Sequence, residues 1–562
     1  MAQTRQLDDS PTAEGFLPRR DFLRTLLAGI PAMALDWNSF PRGPSVARTG
    51  GADYDAVIIG AGLAGLSCAA AFARQGFRPL VLEQHTVPGG YATAFKRLGG
   101  FVFDVSLHST GAGERAGVHD LIPGLPEIKG LEFVPHPYLY RAIFPGFDIR
   151  VPQRNTAKYA EILAGFFASE KDGIVGIIED MKGLARDINR YSQSGGKADM
   201  ATFAKDFPYL VKCSGKTWGQ MLDARIRDPK LKSIISALWG YYGLPPSKLS
   251  AFYYALPTIG YLEEGGFYPK GRSQAISDAL VKFIRERGGM VKLGARVERV
   301  ILEGHVATGV ATADGTEYSA RVVVANANPI DVFESMMDEK EYLKDYLAKL
   351  RKMSVSLSCF QVFLGLKKDL VGELKIPDSE VFYSPGFDDD AAYRSLLEAD
   401  LRDPGFGLML YDNVYRGYSP PGKNTINIMS LQGYDHWARF EEDYGNGRKK
   451  EYRAERERIA DILIKKVEEV LLPGLSGAIE IKEIGTPLTN WRYTRNYRGA
   501  IYGWDQTLDN SGPTRLPQTT PVKNLYLAGA WTQPGHGYGA VIPSGLQCFA
   551  EIMKSWKEAP PR

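Results

Sequence analysis

The chain has 562 residues, 44% of them hydrophobic, enough for more than one substructure with its own core. Its formal net charge is +3, with Lys and Arg spread along the chain, which leaves no electrostatic footprint for nucleic acid. The four cysteines, Cys68, Cys213, Cys359 and Cys548, are far apart and lack metal-ligand spacing, so no metal site is expected, and beyond the extreme N-terminus no apolar run reaches the roughly 18 residues of a membrane span.

The first predicted element is an address. Pro18-Arg19-Arg20-Asp21-Phe22-Leu23-Arg24 matches a twin-arginine export signal, followed by the short apolar segment Thr25 to Leu35 with a small-x-small site, Ala32-Met33-Ala34. Residues 1–35 are therefore expected to export the folded protein to the periplasm or the outer face of the cytoplasmic membrane. Residues 36–52, rich in Pro, Gly and Ser, read as a disordered linker.

Tyr54 to Gly60 is a short apolar, β-branched run ending in glycine, the pattern of a buried parallel strand entering a tight turn. Gly60-Ala61-Gly62-Leu63-Ala64-Gly65 then gives G-x-G-x-x-G, and the small and apolar residues to Phe72 continue as a helix whose N-terminus favours an anion. A second strand, Arg78 to Glu83, ends in an acid about 20 residues past the glycines, where a carboxylate accepts hydrogen bonds from an adenosine ribose. Strand, glycines, helix, strand and acid in this order predict a dinucleotide site. They leave FAD and NAD both open.

After the doublet Gly89-Gly90 comes Gly100-Phe101-Val102-Phe103-Asp104-Val105-Ser106-Leu107-His108. From 111 to 264 the βαβ rhythm stops and helical patterns take over, at Thr156 to Ala168, Ile174 to Tyr191 and Leu231 to Tyr242. Trp239, Tyr241, Tyr242, Phe252, Tyr253, Tyr254 and Tyr261 suit either the wall of an apolar pocket or an ordinary core. Gly265 to Gly271, reading GGFYPKG, leads into a helix from Ser273 to Arg287. The strands Met290 to Leu293, Ala295 to Val300 and Arg321 to Ala325 follow, with a hairpin turn at Asp314-Gly315-Thr316. Residues 330–481 form a second insertion with strands at Ser354 to Leu366 and Asn424 to Leu431 and a helix at Arg453 to Leu471. Its short apolar segment from Asp369 to Ile376 reads as a solvated loop with ordinary apolar contacts, with contact to a membrane surface as the alternative. The chain closes with Thr486-Pro487-Leu488-Thr489, Gly499 to Gly503, the strand Asn524 to Ala528 and the segment Gly529-Ala530-Trp531-Thr532-Gln533-Pro534-Gly535-His536-Gly537-Tyr538-Gly539-Ala540, then a helix from about Val541 to Trp556.

From Asp53 to Lys554 these segments resemble the phytoene desaturases, carotenoid isomerases and retinol saturases of the amine-oxidase-like FAD superfamily. The likeness rests on the Gly-Gly after the ribose acid, the G-F-x-F-D segment, GGFYPKG, the Val-Val-x-Asn-Ala run and the Gly529 to Ala540 motif. It departs at Tyr91, where many relatives have arginine, at Ser106, where the glycine is usual, and at Arg272, which replaces a glycine. The resemblance implies an α/β fold: a discontinuous Rossmann-type FAD domain (53–110, 265–329 and 482–556) carrying an inserted α+β substrate domain (111–264 and 330–481). It implies non-covalent FAD held by Gly60, Ala61, Gly62, Leu63, Ala64, Gly65, Glu83, Gln84, Gly89, Gly90, Tyr91, Val297, Gly529, Ala530, Gly537, Ala540 and Val541, with Val297 meeting the adenine through its backbone. An acid where Ala530 stands is common in amine oxidases, and its absence favours the desaturase side.

The implied activity is desaturation of a lipophilic carotenoid, isoprenoid or other lipid by hydride transfer to flavin N5. His108, Tyr268, Lys270 and His536 are the candidate proton handlers. Membrane quinone or oxygen is the expected electron acceptor, and peripheral membrane contact is expected from the substrate. A redox-neutral polyene isomerase or a saturase, an exported amine oxidase and a non-catalytic prenyl-lipid carrier are the alternatives. The intact glycines, Glu83 and Gly529 argue against the carrier.

Overall fold

The computed structural model describes residues 37–43, 52–111, 125, 127–194, 198–199, 201–338 and 340–558. The twin-arginine segment lies outside them.

The chain visits one sheet three times. On the first visit it lays down β1 (Tyr54–Ile59), α1 (Leu63–Arg74) and β2 (Pro79–Glu83). The first excursion contains the hairpin β3 (Tyr140–Phe144) and β4 (Phe147–Val151), then the helices α2 (Lys171–Gln193) and α3 (Ala251–Glu264). The chain returns through α4 (Gln274–Glu286), β5 (Met290–Leu293), β6 (Val297–Glu303), β7 (Val306–Thr312) and β8 (Glu317–Ala325). The second excursion holds β9 (Ser358–Leu366), β10 (Glu380–Tyr383), β11 (Phe406–Leu410), β12 (Asn424–Gln432), α5 (Lys450–Val470), β13 (Ile479–Gly485) and α6 (Pro487–Thr494). The last visit is β14 (Leu525–Leu527) and α7 (Tyr538–Glu558).

In the first sheet β14, β8, β1, β2 and β5 run parallel, and β6-β7-β8 is an antiparallel meander turning at Gly304 and Gly315. β1 is buried at five of its six positions, as a central parallel strand covered on both faces must be. α1 is buried from Leu63 to Ala73 because its small residues let α7 approach: a Cβ on Gly545 would stand 2.1 Å from the Ala64 carbonyl oxygen. Ser67 fastens the pair by donating to the Ile542 carbonyl at 3.0 Å.

The second sheet runs β13-β9-β12-β11-β10-β3-β4 and is antiparallel except where β10 meets β3. Strands of both excursions thus share one sheet. β9 is buried along all nine residues, and its alternation sorts them. Phe360, Val362 and Leu364 pack into the core beneath α5, while Cys359, Gln361 and Phe363 face the cavity described below.

The structure corrects the sequence reading in four places. Residues 111–264 are not helical throughout, since the β3–β4 hairpin turns at Pro145-Gly146 between alternating strands. Leu231 to Tyr242 is broken into Pro229–Ile235 and Trp239–Tyr242. The 369–376 segment makes its apolar contacts not as a loop throughout but through a helical turn, Leu370–Glu373, with Leu370 and Val371 buried in the core beneath α5. Within the expected disordered linker, Trp37 and Phe40 pack on Phe549, and Gly43 donates to the Gln75 carbonyl at 2.8 Å, because two aromatic rings find apolar cover there.

Candidate functional site

A continuous cavity of 1960 Å³ opens at the C-terminal ends of β1, β2 and β8 and passes the N-termini of α1 and α7 on its way to the cavity face of the second sheet. Its nucleotide end is built by hydrogen bonding within the glycine-rich turn. Glu83, at the tip of β2, accepts from the Ala61 N–H at 2.7 Å through Oε2 and from the His85 N–H at 3.0 Å through Oε1, so it ties the turn to its own strand while lining the cavity. Gly89 donates to the Ala61 carbonyl at 2.8 Å. Its φ of +126° favours glycine, and a Cβ there would lie 2.3 Å from the Ala92 carbonyl oxygen.

Asn326, the residue after β8, was not singled out in the sequence. Its N–H donates to Ile59, its Oδ1 accepts from the Gly65 N–H at 3.0 Å and its Nδ2 donates to the Ala528 carbonyl at 3.1 Å, so one side chain joins β8, α1 and β14. The Val-Val-x-Asn-Ala run was the available signal. Arg515 was also missed and had none. It is 1% exposed, and its guanidinium donates to the carbonyls of Thr532 at 3.1 Å, Trp504 at 3.0 Å and Ala530, fixing the Gly529 to Ala530 wall. Burial lowers it to about 10.

The sequence-predicted cofactor residues all reach the cavity wall except Ala61 and Gly65, whose amides are taken by Glu83 and Asn326. Of the four proton-handling candidates the structure brings only His108 and His536 to the wall. His536 stacks on Tyr502 with ring centroids 4.2 Å apart, and burial with Arg515 nearby holds it well below the ordinary histidine range. Burial likewise pushes His108 down to about 3. Tyr268 is fully buried and donates to Asp104 Oδ2 at 2.6 Å; Asp104 also accepts from the Ser273 N–H and hydroxyl, each at 2.8 Å. Tyr268 therefore builds the junction between the G-F-x-F-D segment and α4. Lys270 points outward and pairs with Glu132 at 2.9 Å. Neither lines the cavity.

The aromatic run divides in the same way. Tyr241, Tyr242, Phe252, Tyr253 and Tyr261 line the chamber beyond the nucleotide end, whereas Tyr254 stacks on Trp218 inside the core, with centroids 4.5 Å apart. Ala185 and Ile188 of α2 with Leu256 and Ile259 of α3 complete the apolar side. The four cysteines are free and buried. Cys359 alone among them lines the cavity, and burial pushes its thiol up to about 11.

These residues fit a flavin dinucleotide. The glycine turn, Gly89-Gly90 and the N-terminal residues of α1 and α7 all line one cavity, and they are the kinds of group that a ribose and a pyrophosphate require.

Comparison with known proteins agrees. Residues 208–552 match the model of the flavin containing amine oxidoreductases, and residues 58–116 match that of the NAD(P)-binding Rossmann-like domain. The chain is 26% identical to the chloroplastic prolycopene isomerase of Arabidopsis thaliana, over 95% of this chain and 87% of that one. It is also 26% identical to the all-trans-retinol 13,14-reductase of Danio rerio, over 89% of this chain and 86% of that one. Among solved structures, a putrescine oxidase double mutant superposes with a TM-score of 0.58 at 14% identity, covering 89% of this chain and 99% of that one. An oxidoreductase from Methanosarcina mazei gives 0.56 at 16%, with the same two coverages. These likenesses extend over nearly the whole described chain and include both visits that build the glycine turn and the α7 wall: the protein belongs to the flavin-containing amine oxidoreductase family.

Proposed function

We propose that this flavin oxidoreductase binds FAD non-covalently and acts on C–C or C=C bonds of a long lipophilic substrate, a carotenoid, isoprenoid or related polyene. The observation that carries the proposal is the cavity itself. At 1960 Å³ it exceeds the roughly 300–1,000 Å³ of a single small-ligand site, and its inner part is walled by aliphatic and aromatic side chains. That is room for a cofactor and an extended apolar partner together. When bound, FAD supplies hydride acceptance and return.

The chain's own residues do the rest. α2 and α3 shield the chamber from water, and α7 turns its N-terminal dipole toward the cavity, which favours negative charge at that end. His108 and His536 remain the candidates for moving the accompanying proton, both held neutral by burial.

Desaturation is the direction we propose, with quinone or oxygen as acceptor, at the outer face of the membrane after twin-arginine export and in peripheral contact with the lipid. A second reading, isomerisation or saturation, is favoured by the activities for which the two curated relatives are named. Anaerobic incubation of the flavoprotein with a polyene panel separates them. Flavin bleaching with loss of two hydrogens from the product supports desaturation, an unchanged product mass with altered retention supports isomerisation, and a gain of two hydrogens with pre-reduced enzyme supports saturation. Inertness toward every polyene, with hydrogen peroxide released from amines when the enzyme is assayed in air, overturns the proposal in favour of amine oxidation.

A further inference from the structure

One corner of the chamber carries two consecutive polar side chains with unpaired atoms. His108 and Ser109, consecutive on the segment leading out of the G-F-x-F-D motif, both line the wall, and among the described residues neither His108 Nδ1 nor Ser109 Oγ has a hydrogen-bond partner. His108 is 8% exposed. Its imidazole lies parallel to the Tyr241 ring, planes 8° apart and centroids 6.2 Å apart, and the Tyr241 hydroxyl donates to Glu380 Oε1 behind it. Glu380 is 2% exposed, on β10. Tyr261 closes the far side by donating to the Ser109 carbonyl at 3.3 Å, and Phe382 packs edge-on against Tyr241 with centroids 5.2 Å apart. The rings and the backbone around His108 are thus fixed, while its ring nitrogen and the neighbouring hydroxyl are left without partners.

A buried donor or acceptor without a partner costs free energy that a ligand recovers by supplying one. Placed beside the apolar wall of Ala185, Ile188, Leu256 and Ile259, such groups orient a ligand rather than hold it. The corner also carries no net charge near neutral pH. Burial and the nearby His136 keep His108 unprotonated, and burial lifts the Glu380 carboxyl to about 8. A carboxylate or phosphate finds no cation there, and an ammonium finds no ready anion. A hydroxyl or carbonyl finds both a donor and an acceptor.

We infer that the His108–Ser109–Tyr241 corner is a subsite for a neutral hydrogen-bonding end group, so that the substrate is an oxygenated polyene or isoprenoid, an alcohol or carbonyl compound, rather than a hydrocarbon. This rests on the lipid-substrate reading above and narrows it.

The test measures binding to the FAD-loaded protein, by perturbation of the flavin spectrum, of three probes with one skeleton: geranylgeraniol, the hydrocarbon lacking its oxygen, and the corresponding primary amine. The alcohol is expected to bind about tenfold more tightly than the hydrocarbon and the amine, the difference one buried hydrogen bond makes. H108F combined with S109A is expected to shrink that preference below about threefold, and H108N to restore part of it. Equal and tight binding of alcohol and hydrocarbon overturns the subsite and leaves the lipid reading standing. Binding of neither overturns both. Tightest binding of the amine overturns the neutral corner. An alcohol preference that survives in H108F/S109A, with a shifted flavin reduction potential, assigns the pair to the cofactor and also overturns the subsite.

Discussion

Asn326 Oδ1 accepts the Gly65 N–H at 3.0 Å and stands 2.6 Å from where a side chain on Gly62 would begin, so the residue that follows β8 determines what the glycine turn can tolerate. The sequence pattern assigns the Gly62 position to close approach of a pyrophosphate. In the folded chain the first group a Cβ meets is the Asn326 amide. Both constraints act on the same atom.

Two substitutions follow from that contact. Gly62→Val drives a branched side chain into Asn326 and is expected to abolish flavin binding. Asn326→Leu leaves the Gly65 N–H unsatisfied in a crowded turn, at about 1–3 kcal/mol, and is expected to weaken flavin affinity by about tenfold or more. Fluorescence titration of deflavinated protein measures both. Full affinity in Asn326→Leu would show that the turn holds without its clamp.

The difference between these two residues also shows what the sequence makes legible. Gly60, Gly62, Gly65 and Glu83 are readable because the strand–turn–helix–strand unit is local, with fixed spacing. The Asn326 bond spans 261 residues, and no spacing rule reaches it. The β3–β4 hairpin carries a visible alternation, but the neighbour that makes it part of the second sheet, β10, belongs to the other excursion. Tyr268 and His108 looked equally chemical in sequence. Only packing separates them, since Tyr268 is spent on Asp104 and His108 reaches the cavity.

Flavin is expected to leave the protein on acid precipitation, giving a yellow supernatant. The single cysteine of the four that lines the cavity, Cys359, is bonded at Sγ by Asn490 at 3.4 Å, and its raised thiol pKa leaves little thiolate for a covalent link. Colour retained by the pellet would contradict non-covalent binding.

Glu380 gives a pH signature. Burial lifts its carboxyl from 4.5 to about 8, so the folded state holds a proton that the unfolded chain releases. Its favourable contribution is present in full below pH 4.5 and is lost as pH rises through about 8, at roughly 1.4 kcal/mol per unit at most. His108 and His136, pushed down to about 3 and 4 by burial, act oppositely and lose stability as pH falls below their ordinary 6.5. Glu380→Gln removes only the first effect. The Tm difference between variant and wild type is therefore expected to shift in the variant's favour from pH 5 to about 8 and then level off, as followed by thermal melts across that range. A difference independent of pH would mean that the carboxyl is ionised in the fold.

The last prediction concerns the route of the electrons. Among the described residues the β1–α1 turn is the only G-x-G-x-x-G between a parallel strand and a helix, and the proposed FAD occupies it. A nicotinamide dinucleotide would need a comparable phosphate cradle, and among the described residues the rest of the cavity wall offers no second glycine-rich strand–turn–helix unit. The twin-arginine export proposed from Arg19-Arg20 points the same way, because an exported enzyme would work where reduced nicotinamides are not maintained. Anaerobic addition of NADH or NADPH at micromolar levels is therefore expected to leave the oxidised flavin yellow. After chemical reduction, a soluble quinone is expected to restore the oxidised spectrum within the mixing time of a bench experiment, and oxygen more slowly. Rapid bleaching by either nicotinamide, with no reoxidation by quinone, would reverse the direction of hydride flow and make the protein a saturase, with the same chamber and the same cofactor turn serving reduction of the polyene.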